Sequence, residues 1–326
     1  MLVNRRWFSV SFPQLGLFAV VAFAMTVSGC SDVDHDHATA ATAPGSKFGG
    51  GRAIRVVCTT GMVADLVRNV GGERVKVEQL MGEGVDPHLY KSSPGDLSKL
   101  DAADVIFYSG LHLEGKMSEL FERIASRKRT VAVTAKIAHE KLLGADGAHD
   151  PHVWMDVALW SETAQTVCDM LSDFDPANAA EYKTRHEQYR QQLADLDEEC
   201  RTNLTSIPVE RRVLVTAHDA FSYFGRAYQT EVRAIQGIST ESEAGVREIN
   251  ELVSYLVERK IKAVFVETSV SDRNIQALIE GCQSRGHRVT IGGALYSDAM
   301  GEPGTPEGTY VGMVRKNVTT IVEALK

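Results

Sequence analysis

From Pro176 to Thr205 the chain contains no glycine and no proline beyond its first residue, is rich in charge, and spaces its apolar residues at wide helical intervals. A stretch without turn chemistry or strand alternation reads as one long helix, with Asp175 as N-cap and Pro176 in the first turn. Such a rod divides the chain. Strand-like apolar runs precede it at Ile54–Cys58, Val75–Leu80, Asp104–Tyr108 and Thr130–Val133, and follow it at Arg212–Thr216, Glu231–Ile235 and Lys262–Val266. In both halves these runs alternate with helical periods, the pattern of parallel sheets covered on both faces. The expected fold class is α/β, with two lobes, each a mainly parallel sheet flanked by helices, joined by one long helix. The boundaries read as an N-terminal lobe over residues 53–174, a linking helix over 175–206 and a C-terminal lobe over 207–326. Each lobe is long enough to bury its own core, and a helical joint limits how far the two can swing apart.

Ahead of the first lobe, Arg5 and Arg6 precede an apolar run from Leu15 to Val27 that closes in Val27-Ser28-Gly29-Cys30. This is the layout of a secretory signal peptide over residues 1–29, too short for a comfortable membrane span of about 20 apolar residues. Small residues directly before a cysteine resemble the bacterial lipobox, which implies that Cys30 becomes the lipidated first residue of the mature protein. Residues 30–52, rich in Ala, Gly, Asp, Thr and Ser, read as a flexible tether. The expected location is extracytoplasmic, in the periplasm or at the cell surface, with the membrane reached through the lipid.

The net charge of -8 and the lack of a basic stripe exclude nucleic acid as a partner class. Beyond Cys30 there remain Cys58, Cys168, Cys200 and Cys282. No CxxC pair links them, so neither a thiolate zinc site nor a disulfide-dense scaffold is indicated.

Two copies of Asp-Pro-His stand in the first half, Asp86-Pro87-His88 and Asp150-Pro151-His152. Proline fixes its own φ and restricts the residue before it, so each tripeptide is a rigid turn that presents an imidazole in one direction. The preceding Asp is placed to accept a hydrogen bond from a ring nitrogen, which would fix tautomer and basicity. In the second half His218 follows an apolar strand at its carboxyl end, where open α/β sheets bind ligands. Asp298 follows the short strand Arg288–Ile291 and a Gly292-Gly293 turn. Taken singly, His218 reads rather as a helix N-terminal residue, with Asp219 as first-turn acid, and Asp298 as a cap or turn residue.

Together these segments resemble the metal-specific solute-binding proteins of ABC importers, the zinc- and manganese-binding lipoproteins among the cluster A-I periplasmic binding proteins. The resemblance is carried by Asp86-Pro87-His88-Leu89-Tyr90, Asp150-Pro151-His152-Val153-Trp154-Met155-Asp156, Thr216-Ala217-His218-Asp219-Ala220-Phe221-Ser222-Tyr223-Phe224, and Tyr296-Ser297-Asp298-Ala299-Met300-Gly301 with Gly308-Thr309-Tyr310. It implies one metal ligand from each segment, His88, His152, His218 and Asp298, around one divalent ion held between the lobes. It also implies an ABC permease as partner, and a monomer is expected.

Three imidazoles and a carboxylate suit zinc and accommodate manganese. In manganese-favouring relatives a Glu often stands where this chain has His218, which tilts the expectation to Zn2+ over Mn2+. Zinc specialists often carry a His-rich loop in the first lobe, and only His139 and His149 lie near that region, which pulls the other way. His35 and His37 read as parts of a solvated linker, and His112, His186 and His287 as surface or packing residues. Glu241 and Glu243 read as helix-start acids, and Glu114 matches a family position without a derivable role. A metal-dependent hydrolase is the alternative from the enzyme class. It lacks support: the chain has no H-E-x-x-H and no G-x-S-x-G, so no enzymatic activity is expected. A surface adhesin with incidental metal binding is the other alternative.

Overall fold

The computed structural model describes residues 45–145 and 148–326. The candidate lipidation residue Cys30, the signal segment and His35 and His37 lie outside the described residues. In the first half, β1 (Ile54–Cys58), α1 (Gly61–Gly71), β2 (Val75–Gln79), α2 (Pro94–Ala102), β3 (Val105–Tyr108), α3 (Ser118–Ala125) and β4 (Arg129–Ala132) alternate along the chain. The four strands form one parallel sheet in the order β2-β1-β3-β4. Side chains alternate across its faces as the pleat requires. Val56 and Cys58 join one buried cluster with α1, while Val57 and Ile106 join another with Leu100 and Phe121. Both faces are apolar because both are covered, which is why the strands read as nearly continuous apolar runs.

A small antiparallel hairpin, β5 (Gly144–Ala145) and β6 (Ala148–His149), leads to α4 (Val157–Phe174), whose first turn is capped by Asp156 accepting from the Leu159 N–H at 3.0 Å. The long helix, α5 (Ala179–Thr205), begins later than its sequence suggests, because Pro176–Asn178 form a 3-10 turn. Asp175 does not cap it through a backbone N–H. Its carboxylate accepts instead from the Tyr182 hydroxyl and the Asn178 amide, both at 2.8 Å. Tyr182, Tyr189, Leu193, Leu196, Cys200 and Leu204 form the buried stripe of α5, at the three- and four-residue steps that keep one face inward. The expected tether is also shorter than its composition suggests. Phe48 is docked, its N–H donating to Phe174 O at 2.7 Å and its ring 5.5 Å from that of Phe174.

The second half contains β7 (Val213–Thr216), α6 (Ser222–Tyr228), β8 (Glu231–Ala234), α7 (Val246–Arg259), β9 (Ala263–Glu267), α8 (Arg273–Ser284), β10 (Thr290–Leu295) and α9 (Tyr310–Leu325). Here β7 pairs with β8 and β9 with β10, both in parallel, and β7 lies against β9. The succession β8-β7-β9-β10 repeats the order of the first sheet. One apolar cluster runs through the whole unit, from β1 and α1 through α4 and α5 to Phe265, Leu295 and α9. Cys58, Cys168, Cys200 and Cys282 are all buried free thiols. Among the described residues no helix is long and apolar enough to cross a membrane.

Gly292 and Gly293 do not form the turn expected from sequence; they lie inside β10, where the register with β9 shifts between Ile291 and Gly293. Helix α9 explains the glycines. A Cβ on Gly292 would lie 2.7 Å from Ala324 Cβ and 2.9 Å from the Phe265 ring, and one on Gly293 would run into Thr320 Cγ2. The Gly293 φ of 151° further disfavours a side chain. Replacing Gly293 by Ala is expected to destabilise the fold by about 1–3 kcal/mol in denaturant titrations. Thr320→Ser removes the opposing methyl and should recover part of that loss; no recovery in the double variant would place the cost elsewhere.

Candidate metal centre

The chain ends of the two sheets converge on one buried cluster. His88 comes from the loop after β2, His152 from the turn after the hairpin, His218 from just beyond β7, and Asp298 from just beyond β10. One ligand atom from each lies within 4.8 Å of all the others, and the four side chains are 0–4% exposed as residues. The candidate residues from four separate segments are thus brought together.

Each Asp-Pro-His turn holds its Asp against the His backbone: Asp86 Oδ1 accepts from the His88 N–H at 2.8 Å, and Asp150 Oδ1 from the His152 N–H at 3.0 Å. The two then differ. Asp150 Oδ1 also lies 2.6 Å from His152 Nδ1, the ring contact anticipated for these aspartates. Asp86 uses its other oxygen on Thr240, whose hydroxyl donates at 2.6 Å from the opposite half of the chain. His218 is held by Glu267, which accepts from its N–H at 2.8 Å and lies 2.6 Å from its Nδ1. Sequence reading missed Glu267. Its signal is an acid closing the apolar strand Ala263–Glu267, buried at 5% exposure where a strand-end Glu would ordinarily be solvated. A carboxylate on Nδ1 leaves Nε2 as the free donor and raises its basicity.

The Nε2 atoms of His152 and His218 therefore face Asp298, at 3.3 Å from Oδ1 and 3.2 Å from Oδ2, and His88 Nε2 is 3.3 Å from His152 Nε2. Donors about 2.0–2.1 Å from a tetrahedral zinc ion stand about 3.3 Å apart along each edge. The His88–His152 contact matches that edge, and His152 and His218 each stand at it from a different Asp298 oxygen. His88 is the looser corner, its Nε2 3.9 Å from Asp298 Oδ2. Both Asp298 oxygens and His218 Nε2 are buried without a hydrogen-bond partner, an arrangement that is costly unless a charge is shared among them.

Charge sets the protonation of the metal-free cluster. Burial pushes His152 down, but the hydrogen bond to Asp150 and the charges of Asp150 and nearby Asp298 outweigh it and hold the imidazole up at about 9. Burial likewise opposes His218, and Asp298 and Glu267 overcome it to raise it well above the usual range. Burial would raise Asp298, but His218 and His152 beside it keep it well below. His88 has no carboxylate on its ring; burial lowers it to about 4, with Asp298 only partly opposing.

Around the cluster, Trp154 Nε1 donates to Ser297 O at 2.8 Å, the Tyr310 hydroxyl to Trp154 O at 2.7 Å and the Tyr223 hydroxyl to Asp150 O at 2.9 Å. These bonds tie ligand-bearing turns of the two halves to each other. Glu114 acquires a role: it accepts from the Thr59 hydroxyl and the Ser109 and Gly110 N–H groups, fixing the loop in which Gly110, Leu111 and His112 all have positive φ. Glu241 is not a helix-start acid, since α7 begins at Val246; it pairs with Lys116 at 2.5 Å. His139 and His149 meet at the surface, Nδ1 to Nε2 at 3.3 Å, while His287 Nε2 contacts Ile261 O.

The family model of ZnuA, the periplasmic component A of a zinc-uptake complex, matches residues 56–324. The chain belongs to this family. It is 46% identical over 317 residues to the manganese-binding lipoprotein MntA of Bacillus subtilis, covering 95% of this chain and 99% of that protein. It is 49% identical over 271 residues to the zinc-binding protein TroA of Treponema pallidum, covering 83% and 88%. The solved structure of the Treponema protein superposes with a TM-score of 0.82 at 48% identity, over 84% of this chain and 99% of that one. The family is one of solute-binding proteins rather than enzymes, and the α/β architecture with its long helix is the architecture of that structure.

The sign of the pH dependence follows. Folded-state values of His152 and His218 above the unfolded value of about 6.5 add stability that is complete below that pH and lost as pH rises, through about 9 for His152 and through its own raised value for His218. The thermal midpoint of metal-free protein is therefore expected to fall between pH 7 and 9, with the His152 ring titrating near 9 by NMR. A His152 resonance titrating below 7 would show that its carboxylates do not hold the proton.

Proposed function

We propose that the chain captures one divalent transition metal, Zn2+ in preference to Mn2+, through Nε2 of His88, His152 and His218 and a carboxylate oxygen of Asp298. It delivers that ion, as the monomeric solute-binding component, to the permease of an ABC importer. The observation that carries the reading is the set of four mutually close, buried donors on separate segments, with both Asp298 oxygens lacking any other partner. Zinc is supported by the 3.2–3.3 Å contacts and by three imidazole donors. Binding of manganese is supported by the second free Asp298 oxygen, which permits two-point attachment and a higher coordination number. The relatives named above as manganese- and zinc-binding agree with a site of this dual capacity.

The cell-side context is part of the same proposal. Residues 1–29 direct export, Cys30 carries the lipid, and the chain works outside the cytoplasm on a membrane anchor, as the name "lipoprotein" of the Bacillus relative supports. Residues 53–174 and 207–326 act as the two lobes, with 175–206 between them. Delivery rather than catalysis is favoured by enclosure: His152 and His218 are fully buried, whereas a catalytic zinc keeps an open position for substrate.

Alanine in place of His88 or His152 is expected to lower zinc affinity by orders of magnitude in chelator-competition titrations while the circular dichroism spectrum is retained. Unchanged one-to-one binding in both variants would overturn the ligand set. Glu267→Gln, which leaves the ligands in place, should cost about 10–100-fold. Elemental analysis of protein from its native envelope decides between the two ions.

A further inference from the structure

His88 stands apart within the cluster. It is the most exposed of the four, at 4%, the most distant from Asp298 at 3.9 Å, and the one whose ring has no carboxylate partner among the described residues. The segment Gln236–Gly245, between β8 and α7, reaches the turn that carries His88. At its base this segment is stitched to both sides of His218, the Gln236 N–H donating to Ala217 O at 2.9 Å and the Asp219 N–H to Gly237 O at 3.3 Å. At its tip, Thr240 is 8% exposed and donates to Asp86 Oδ2 at 2.6 Å, while Glu241 pairs with Lys116. Asp86 uses its other oxygen to hold the His88 backbone.

A single segment thus connects the turn of one imidazole in the second lobe with the turn of another in the first. We propose that Gln236–Gly245 is a strap that retains the captured ion, and that Thr240 is a positioning residue acting on His88 through Asp86. The inference rests on the metal-capture reading above. Closed, the strap fixes the Asp86-Pro87-His88 turn, whose proline already removes one backbone freedom, and keeps His88 Nε2 beside the other donors. With the Thr240 contact broken, the His88 corner moves outward without disturbing His152, His218 or Asp298, which are held by Asp150, Glu267 and the β10 loop. Retention then depends on a hydrogen bond between lobes and not on donor chemistry alone.

A strap differs from a ligand in its kinetics. Loss of a ligand speeds release only. Loss of a latch lowers the barrier in both directions, so entry and exit accelerate together and the equilibrium constant moves less than either rate. The test is stopped-flow measurement on the full chain, with Zn2+ as the probe, following uptake and then release into excess chelator. Thr240→Val preserves shape and removes the hydroxyl. It is expected to raise the release rate about tenfold, the scale of one hydrogen bond to a carboxylate, with a parallel rise in uptake rate and only the small drop in the thermal midpoint of the metal-free protein that loss of the same bond entails. Thr240→Ser should restore wild-type rates, and Glu241→Gln should give a smaller change of the same kind. Release at the wild-type rate in Thr240→Val overturns the strap while leaving metal capture intact. Faster release with no change in uptake and a matching loss of affinity also overturns it. Failure of the wild-type chain to take up Zn2+ or Mn2+ overturns the capture reading and the strap with it.

Discussion

The constraint on which the structure depends is the burial of the Asp298 carboxylate without a hydrogen-bond donor of its own. A bare carboxylate in a low-dielectric interior is costly by many kcal/mol unless a positive charge accompanies it. Here the accompanying charge is carried by protons on His152 and His218, both raised by their carboxylate neighbours. His88, lowered to about 4 by burial, is the one imidazole of the cluster that does not share in that charge.

Placing four such groups together requires a scaffold whose strand ends meet, and the repeated strand order supplies it. In the first half the first strand of the chain lies inside the sheet, with the second on one side and the third and fourth on the other, and in the second half the parallel pairs β8-β7 and β9-β10 lie side by side in the same succession. The chain reverses direction of growth beside that first strand, which opens a crevice at its carboxyl end. His218 stands in that crevice in the second half, next to Glu267 at the end of the adjacent strand. In the first half the equivalent crevice is filled by Thr59 and Glu114, bonded to each other at 2.6 Å. The same topology has thus been given a donor in one lobe and a polar plug in the other, where the ligands come from loops farther along.

The parts legible in the sequence are those set by local chemistry. Apolar runs such as Ile54–Cys58 announce strands because both faces of the sheets are covered, and Asp-Pro-His announces a rigid imidazole because proline acts on its immediate neighbours. Gly292 and Gly293 were misread as a turn because their absent Cβ atoms answer to α9, packed from residues far along the chain, and not to local backbone reversal. Asp175 looked like a cap, but Tyr182, one helical step into a helix whose start is displaced by a 3-10 turn, claims its carboxylate. Glu267 was invisible for a similar reason. Its partner lies forty-nine positions away, on a strand that becomes its neighbour only through the sheet order. Thr240, in a segment with no periodicity, carries no local mark of its contact with Asp86.

The joint between the lobes also bears on how an ion can leave. On α1, Asp65 accepts from the Tyr189 hydroxyl on the linking helix and from the Tyr310 N–H at the start of α9, both at 3.3 Å. One carboxylate therefore pins the first lobe, the connecting helix and the second lobe, within an apolar cluster shared by all three. Opening the lobes as rigid bodies would strip this carboxylate, only 8% exposed, of its donors on α5 and α9 and leave it with Asn69 of its own helix, and would part side chains packed at interior density. The Asp86-Pro87-His88 turn is tied to the opposite half by the Thr240 hydroxyl on Asp86, and the same segment's Glu241 pairs with Lys116 in an exposed contact of the kind that contributes about 0–1 kcal/mol. Displacing that turn is thus cheaper than parting the two halves, and leaves His152, His218 and Asp298 together across the helical joint.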